Sequence, residues 1–303
     1  MRKLLLKIAF YACNATDNEH SDKNGIIQKI FYNGLKLLCM AMLTLWVKVD
    51  YLFNFKNIEG LDENSKGPIL SLTTFPARIN KLWIVIDSFF HQTYRPSKIL
   101  LVLTKEEFPE QMRNIPNTLK RLMNKGLEIV FVDYNLRPHN KYYYALNKYR
   151  NRDIVTFDDD LYYWEDSIER LYTLKHNNPF CICANRALKV SFQNGCVKYN
   201  KAHNECGHNL MAQGVGGVLY IPQFRTKEMF NKKSIAKFCL SADDNWLMIQ
   251  ENLAGIRVAT GKNYPHPLVL LKSQASALWH KNIGEKRSEK IMAELITNYQ
   301  IHL

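Results

Sequence analysis

Four short apolar runs in residues 68–157 alternate with stretches of helical periodicity, and this alternation constrains the fold more than any other feature. The β-rich runs occupy residues 68–73, 98–103, 127–132 and 153–157. The helical patterns between them occupy residues 79–91, 106–125 and 140–150. Four strands with intervening helices in about 90 residues predict an α/β domain built on a mostly parallel sheet. Ligands of such sheets bind beyond the carboxyl ends of the strands. We therefore expect functional side chains just after Thr73, Leu103, Val132 and Phe157.

Three consecutive aspartates, Asp158, Asp159 and Asp160, directly follow the fourth run. Adjacent carboxylates repel each other, and at least one is pushed toward protonation unless a cation neutralises it. Oxygen-only ligands favour Mg²⁺ or Mn²⁺, which complete their shells with substrate phosphates. The pattern therefore predicts a metal and nucleotide diphosphate site. The alternative is a solvated acidic turn that caps the helix beginning near Trp164, but capping needs one aspartate rather than three.

The Asp158-x-Asp160 pattern after an α/β half domain resembles the GT-A glycosyltransferases. It is most similar to the family 2-like enzymes of bacterial surface-polysaccharide synthesis, those that make lipopolysaccharide and capsule. Residues 71–79, SLTTFPARI, resemble the opening S-L-T-T-Y-P-x-R-I of one such group. Residues 141–142 and 154–160 also have counterparts there, and the resemblance covers residues 66–285. It implies a GT-A fold and metal-dependent transfer of a hexose from a UDP- or GDP-linked donor to a saccharide or lipid-linked acceptor.

The resemblance also implies roles for single residues. The loop after the first strand would contact the donor nucleotide through Thr73, Phe75 and Arg78. Asp158 would contact the ribose or the metal, Asp159 would lie in the same donor site, and Asp160 would be the principal metal ligand. One departure concerns the base of the nucleotide. Thr104, followed by Lys105, stands where many family 2 enzymes have an aspartate, so the base is not assigned.

Two basic residues near strand ends are candidate donor ligands. Arg78 lies at a junction of strand and helix, where a guanidinium can bind phosphate oxygens in bidentate fashion. The alternative is an exposed arginine in the first helical turn. Lys141 stands at a predicted helix start, where the helix dipole disfavours a cation, so we expect an anion nearby. The alternative is a solvated surface lysine.

The second half contains a candidate general base. Asp243 and Asp244 precede a helical pattern at 246–253 and resemble the paired acidic motif of inverting family 2 enzymes, in which Asp244 matches the base. Direct displacement at an anomeric carbon needs a carboxylate that accepts the acceptor proton. Asp243 is the better N-cap candidate, and the alternative is that both residues only cap the helix.

Other parts of the second half carry weaker predictions. Residues 180–184 and 188–192 are typical of strands, and residues 195–207 of a loop. The glycines of 214–217 indicate close backbone approach or positive φ angles. His280 is a candidate extra metal ligand or, with Lys281, a diphosphate contact; the alternative is a surface segment.

The N-terminal region is predicted to be helical and separate from the main domain. We expect a region at 1–57, a linker within 58–67, the GT-A domain at 66–283 and a terminal helix at 284–303. Residues 37–47 form the most apolar run, but eleven residues of helix span only about 16 Å, roughly half a bilayer core. Extension back to Ile26 includes Lys29 and Lys36. Membrane contact through residues 26–48, with the helix in the interface, is one hypothesis; packing on the domain and a true span are the others.

Composition bounds the partners. The net charge of +13 suggests a polyanionic partner: nucleotide, acidic membrane or nucleic acid. Nucleic acid is disfavoured because arginine-rich arms, RNP-type aromatic motifs and zinc-finger spacings are absent from the sequence. Seven cysteines without a disulfide framework favour a reducing compartment. We expect a cytoplasmic protein at the inner face of the cell membrane.

Two other classes of function remain open. A nucleotidyltransferase acting on a sugar phosphate shares the α/β nucleotide domain and the metal carboxylates, although its usual glycine-rich Arg/Lys signature is missing near the first strand. A non-enzymatic basic protein that binds membrane or nucleic acid explains the charge but not the three aspartates.

Overall fold

The computed structural model describes residues 1–18, 23–271 and 287–303 and shows a mixed α/β fold. The strands are β1 Ile69–Thr73, β2 Lys98–Thr104, β3 Leu127–Val132, β4 Ile154–Thr156, β5 Leu161–Tyr162, β6 Ile182–Ala184, β7 Ala187–Gln193, β8 Cys196–Ala202, β9 Cys206–Gly207, β10 Leu210–Ala212, β11 Val218–Tyr220, β12 Val258–Thr260 and β13 Leu268–Val269. The helices are α1 Arg2–Asn18, α2 Lys23–Phe53, α3 Pro76–Ile79, α4 Leu82–Phe90, α5 Asn117–Met123, α6 Asn140–Lys148, α7 Ser167–Asn177, α8 Lys232–Phe238, α9 Asp243–Leu253 and α10 Arg287–Tyr299.

The central sheet has the strand order β3-β2-β1-β4-β11-β6-β12-β9. Its first half is parallel, because β1 pairs in parallel with both β2 and β4, and β2 pairs in parallel with β3. The apolar runs of β1, β2 and β4 are buried, as expected where helices cover both faces of a parallel sheet. The predicted mostly parallel α/β sheet is confirmed, and the carboxyl ends of β1 to β4 meet at one edge.

The second half of the sheet is mixed. β11 runs antiparallel between β4 and β6, and β12 is parallel to β6. A small separate sheet has the order β10-β7-β8. The prediction of a loop at 195–207 is wrong for β8, which pairs along its whole length with β7. Val197 and Tyr199 alternate with polar residues and pack against the core, which is the period of a strand with one buried face.

The polar helical pattern at 106–125 also differs from the structure. Only residues 117–123 form a helix, preceded by a short 3-10 turn at 111–114. Pro109 and Pro116 interrupt the segment, and proline removes a backbone donor and clashes with the preceding turn. A continuous helix is therefore excluded by two residues inside the pattern.

The two N-terminal helices pack on each other and on the main domain. Met40, Leu43 and Val47 of α2 are buried and belong to the same hydrophobic core as the central sheet. Tyr51 fixes the end of α2, since its hydroxyl donates a 2.6 Å hydrogen bond to the carbonyl of Thr118. In the described part of the chain, residues 26–53 form one helix long and apolar enough to cross a membrane by length and composition. Packing on the domain is thus observed for one face of α2, and its other face is exposed.

The C-terminal helix α10 is amphipathic and lies against α9 and β8. Met292, Leu295 and Ile296 are buried at helical spacing. The ring of Tyr299 contacts Trp246 edge to face at 5.8 Å between centroids. This contact supports the helix α9, which carries Asp243 and Asp244 in its first turn.

Candidate active site

A cavity of about 560 Å³ opens at the edge where the parallel strands end. Its wall includes Thr73, Thr74, Phe75 and Arg78 after β1, Glu106 and Glu107 after β2, Asn135 and Arg137 after β3, and Phe157 to Asp160 after β4. Lys141, Asp243 and Asp244 complete the same wall. All candidate site residues that the structure describes therefore converge on one cavity, at the predicted strand ends. His280 lies outside the described residues.

Arg78 joins the loop after β1 to the loop after β4. Its guanidinium places Nη1 2.5 Å from Asp159 Oδ1 and Nη2 3.1 Å from Asp160 Oδ2. Thr74 donates a further 2.5 Å hydrogen bond to Asp159 Oδ2. The Arg78 side chain is only 13% exposed, so it is not an exposed first-turn arginine. Phe75 lies 5.1 Å from the guanidinium, on the cavity side of the same loop.

Burial raises the pKa of Asp160 to about 7, although the neighbouring guanidinium opposes this shift and Asp158 adds to it. Burial also raises the pKa of Asp159, against the same guanidinium. The repulsion between carboxylates that the sequence predicts therefore adds to a pKa shift whose largest cause is burial.

Lys141 is buried in the first turn of α6 and bridges two acidic segments. Its Nζ lies 2.8 Å from Asp158 Oδ1 and 2.9 Å from Asp243 Oδ2. Burial acts to lower the pKa of Lys141, but the carboxylates of Asp158, Asp243 and Asp244 outweigh it and raise the pKa well above the ordinary value. The expected anion near this helix start is a pair of aspartates. The alternative, a solvated surface lysine, is wrong.

Asp243 and Asp244 occupy the first turn of α9 but have different environments. The predicted capping role of Asp243 is wrong, because Ala242 is the N-cap residue and no side chain caps the helix. Burial would raise the pKa of Asp243, but Lys141 and His139 outweigh it and lower the pKa. Burial, and then the charge of Asp243, raise the pKa of Asp244 to about 8. The two adjacent carboxyl groups therefore differ. Asp243 is an ion-paired carboxylate, and Asp244 holds its proton more strongly.

Gly214 brings the backbone into direct contact with the charged side chains of Asp244 and Lys141. Its amide donates to both carboxylate oxygens of Asp244, at 3.2 and 3.3 Å. A Cβ atom at this position would lie 2.8 Å from Lys141 Nζ. Gly217 has a φ of +89° and would place a Cβ 2.3 Å from the ring of Phe157. The glycine pattern therefore reflects both close approach and positive φ, as predicted.

The charged side chains around the cavity include more carboxyl groups than cations. Arg78 and Lys141 contribute two positive charges, and the carboxylates are those of Asp158, Asp159, Asp160, Asp243 and Asp244. Within the described chain, no set of three or more His, Cys, Asp or Glu side chains is arranged to hold a metal by protein atoms alone. Mg²⁺ usually binds through one or two carboxylates and substrate phosphates. Asp158 and Asp160 lie at the end of β4 on the cavity wall, and their oxygens fit such a partial donor set.

Several residues of the wall were not singled out from the sequence. Glu106 and Glu107 follow β2, and Arg137 follows β3 with a φ of +53° that non-glycine residues seldom adopt. The rule that ligands bind beyond strand ends would have found all three. His139 is also buried beside the site, where its Nε2 lies 2.8 Å from the carbonyl of Cys239. Nothing in its local sequence pattern distinguishes it from an ordinary loop histidine.

Comparison with known proteins gives structural neighbours only. No family model matches the sequence, and no curated protein sequence matches it. Staphylococcus aureus TarS 1–349 in complex with UDP is 11% identical with a TM-score of 0.44, over 65% of this chain and 58% of that one. A 4-diphosphocytidyl-2C-methyl-D-erythritol synthase is 11% identical with a TM-score of 0.43, over 72% of this chain and 100% of that one.

A third neighbour is the mannosyltransferase PcManGT from Pyrobaculum calidifontis in complex with GDP-Man and Mn²⁺. It is 11% identical with a TM-score of 0.40, over 86% of this chain and 80% of that one. The chain thus spans less than two thirds of the length of TarS 1–349. Similarity at this level does not assign the chain to a family.

Proposed function

We propose that the chain is a metal-dependent glycosyltransferase that moves a sugar from a nucleotide-sugar donor to an acceptor hydroxyl. One observation carries the proposal: Lys141 joins Asp158, at the end of β4, to Asp243, in α9, so that two acidic segments face one cavity. The first segment suits a donor diphosphate with its cation. The second provides a separate carboxylate, Asp244, for the acceptor proton.

On the donor side, Asp158 and Asp160 would hold Mg²⁺ or Mn²⁺, which would neutralise the diphosphate as it leaves. Arg78 holds Asp159 and Asp160 in place. It lies beside Phe75 in the loop after β1, which we propose as the loop that contacts the donor. Thr73 lies at the carboxyl end of β1, where its hydroxyl bonds the carbonyl of Val102 at 2.7 Å and orders the same loop. We propose a UDP- or GDP-linked donor.

On the acceptor side, Asp244 would accept the proton of the acceptor hydroxyl. The oxygen then forms a bond to the anomeric carbon while the bond from that carbon to the diphosphate oxygen breaks. The electron pair leaves with the nucleoside diphosphate, and attack from the opposite face inverts the anomeric centre. The two hydrogen bonds from the Gly214 amide orient the Asp244 carboxylate. Its raised pKa makes Asp244 a stronger base than an exposed aspartate. Asp243, paired with Lys141, would position its neighbour.

The biological setting extends the same proposal. Resemblance of residues 71–79 and 154–160 to family 2-like enzymes supports a role in bacterial cell-surface polysaccharide synthesis. The acceptor is then a saccharide or a lipid-linked saccharide. The absence of a disulfide framework supports a location in the cytoplasm, at the inner face of the membrane.

A panel of UDP- and GDP-linked sugars, tested with Mn²⁺, Mg²⁺ or chelator, examines the proposal directly. We expect one donor to raise the melting temperature only when a divalent cation is present, and to be hydrolysed or transferred with release of nucleoside diphosphate. Release of pyrophosphate from a nucleoside triphosphate and a sugar phosphate would instead identify a nucleotidyltransferase. A chain that binds neither class of nucleotide, with or without metal, would contradict both enzymatic proposals.

A further inference from the structure

The outer face of α2 is an apolar stripe along most of the helix. Its exposed residues lie on one broad side of the helix, and from Leu38 onward they recur at intervals of three and four. They are Ile27, Ile30, Phe31, Leu37, Leu38, Met42, Leu45, Val49 and Leu52, each between 43% and 72% exposed. From Ile27 to Leu52 the stripe is about 38 Å long at 1.5 Å per residue. No part of the described chain covers it.

Helix α1 extends this surface. Its exposed apolar residues are Leu4, Ile8 and Tyr11, and the exposed Met1 directly precedes it. The ring of Tyr11 lies 6.0 Å from that of Tyr32, which in turn lies 5.5 Å from Phe31. The apolar surfaces of the two helices are therefore continuous at this end. Soluble monomers seldom expose contiguous apolar surface of this extent unless it contacts a partner or a membrane.

The exposed charges of α1 and α2 have one sign. Where exposure is described in α1 and α2, the exposed charged side chains are Lys3, Lys7, Lys29 and Lys48. The carboxylate of Asp17 is paired with Arg186 at 2.8 Å. Asp50 accepts a 2.8 Å hydrogen bond from Asn54 and is partly buried. An apolar face with lysines beside it is complementary to an anionic lipid surface, where the ammonium groups reach the phosphates.

We propose that α1 and α2 dock on the surface of an anionic phospholipid bilayer, with α2 lying in the plane of the interface. A crossing orientation is disfavoured because the inner face of α2 belongs to the protein core. Met40, Leu43 and Val47 are at most 1% exposed. A helix that crossed the bilayer would have to leave these contacts and the hydrogen bond from Tyr51 to Thr118. A second copy is disfavoured as the occupant because two such faces would bring lysines together.

Helix α1, part of the docking surface, contacts residues next to the candidate active site. Arg2 of α1 donates to the hydroxyl of Tyr162 at 3.2 Å and pairs with Glu165 at 3.1 Å. Both residues follow Asp160 closely in the chain. Docking would therefore hold the cavity near the membrane and would suit the lipid-linked acceptor of the proposed function. Lipid binding itself does not depend on that function, so either proposal can fail alone.

Sedimentation of the full chain with lipid vesicles tests the docking. We expect binding to mixed phosphatidylcholine and phosphatidylglycerol vesicles, weaker binding to phosphatidylcholine alone, and weakening by salt. The double variant Leu38→Gln with Leu45→Gln should bind the mixed vesicles at least about tenfold less tightly, because two apolar side chains no longer enter the interface. Phe180→Gln with Leu253→Gln removes two exposed apolar side chains elsewhere and should bind like the original chain.

Two results would overturn the proposal. One is the absence of binding to mixed vesicles by the original chain. The other is a dimer in solution that Leu38→Gln with Leu45→Gln converts to a monomer, which would assign the face to a second copy. Unchanged circular dichroism and melting temperature in the variants would show that the fold is kept. Nucleotide binding, measured separately, reports on the proposed function and not on docking.

Discussion

Lys141 donates a 2.8 Å hydrogen bond to Asp158 from a buried position in the cavity wall, and the same ammonium pairs with Asp243 at 2.9 Å. This contact links α6, the loop after β4 and the start of α9 at one point.

Replacement of Lys141 by Met should destabilise the protein strongly. The substitution leaves Asp158 and Asp243 without their shared cation, and breaking a buried pair on one side costs about 3–5 kcal/mol. Urea unfolding in chelator measures the change. Lys105→Met removes an exposed ammonium that pairs with Asp133 at 2.7 Å, and it should cost less than about 1 kcal/mol. Equal effects of the two substitutions would show that Lys141 has no special structural role.

Replacement of Asp160 by Asn should separate catalysis from stability. We expect turnover to fall about 10²-fold or more, as is typical when a preorganised electrostatic group is lost. The free energy of unfolding should stay the same or rise, because one of several repelling carboxylates is removed. Asp133→Asn, at an exposed position, is the matched control and should keep full turnover. Full activity in Asp160→Asn would contradict its role as metal ligand.

The value of kcat/KM for transfer should rise with pH and level off above about 8. Asp244 holds its proton up to that range because its pKa is raised, and only the deprotonated form accepts a proton from the acceptor. Initial rates over a pH series measure the profile. Asp244→Asn should give low rates without this dependence. A constant kcat/KM from weakly acidic to weakly basic pH would contradict the assignment of Asp244 as the base.

Replacement of Gly214 by Ala should reduce activity more than stability. The new methyl group meets the terminal ammonium of Lys141, which must shift away from Asp158 or Asp243, and it also lies 3.3 Å from Asp244 Oδ1. Gly217→Ala is the contrasting variant. Its positive φ and the rigid ring of Phe157 leave no such adjustment, so we expect a loss of stability of about 2 kcal/mol or more. Thermal unfolding and initial rates of both variants distinguish the two effects.

Replacement of Glu128 by Gln should lower stability in a pH-dependent way. Burial would raise the pKa of Glu128, but bonds from Lys148, Lys98 and Tyr149 outweigh it and lower the pKa to about 2. A lowered pKa stabilises the folded state above the ordinary carboxyl range, and this stabilisation is lost as the pH falls toward 2. We expect a loss of about 1 kcal/mol at neutral pH, because the partly exposed partners are screened by solvent.

Urea unfolding at neutral pH and at about pH 3 checks the prediction for Glu128, since the difference from the original chain should shrink at the lower pH. The control is Glu205→Gln, at a carboxylate that pairs with an exposed Lys189. A difference that stays constant with pH would mean that the ion pairs of Glu128 are not its cause.

The parallel half of the sheet and the acidic loop could be predicted because their signals are local. Asp158 follows an apolar run directly, so strand and functional group are read from adjacent residues. The strand β8 could not be recognised with equal ease, because the polar residues that alternate with Val197 and Tyr199 are typical of loops as well as of a strand with one exposed face.

The pairing of Lys141 could be predicted only in part. A cation at a helix start indicates that an anion is near, but it does not show which one. Asp243 lies about 100 residues further along the chain and is brought there only when β11 and α9 have packed. The same reason explains the failed capping role of Asp243: a buried ammonium competes for its carboxylate, and local sequence contains no trace of that competition.

The contacts of α1 and α2 bear on how this protein can be shortened. Phe10 packs edge to face on Trp164 at 5.1 Å, and Tyr51 lies 4.9 Å from Trp83. A chain that started at the linker would leave both indole rings facing water, one of them four residues after Asp160. Detergent or lipid is therefore a better means of keeping this protein in solution than deletion of its first helices.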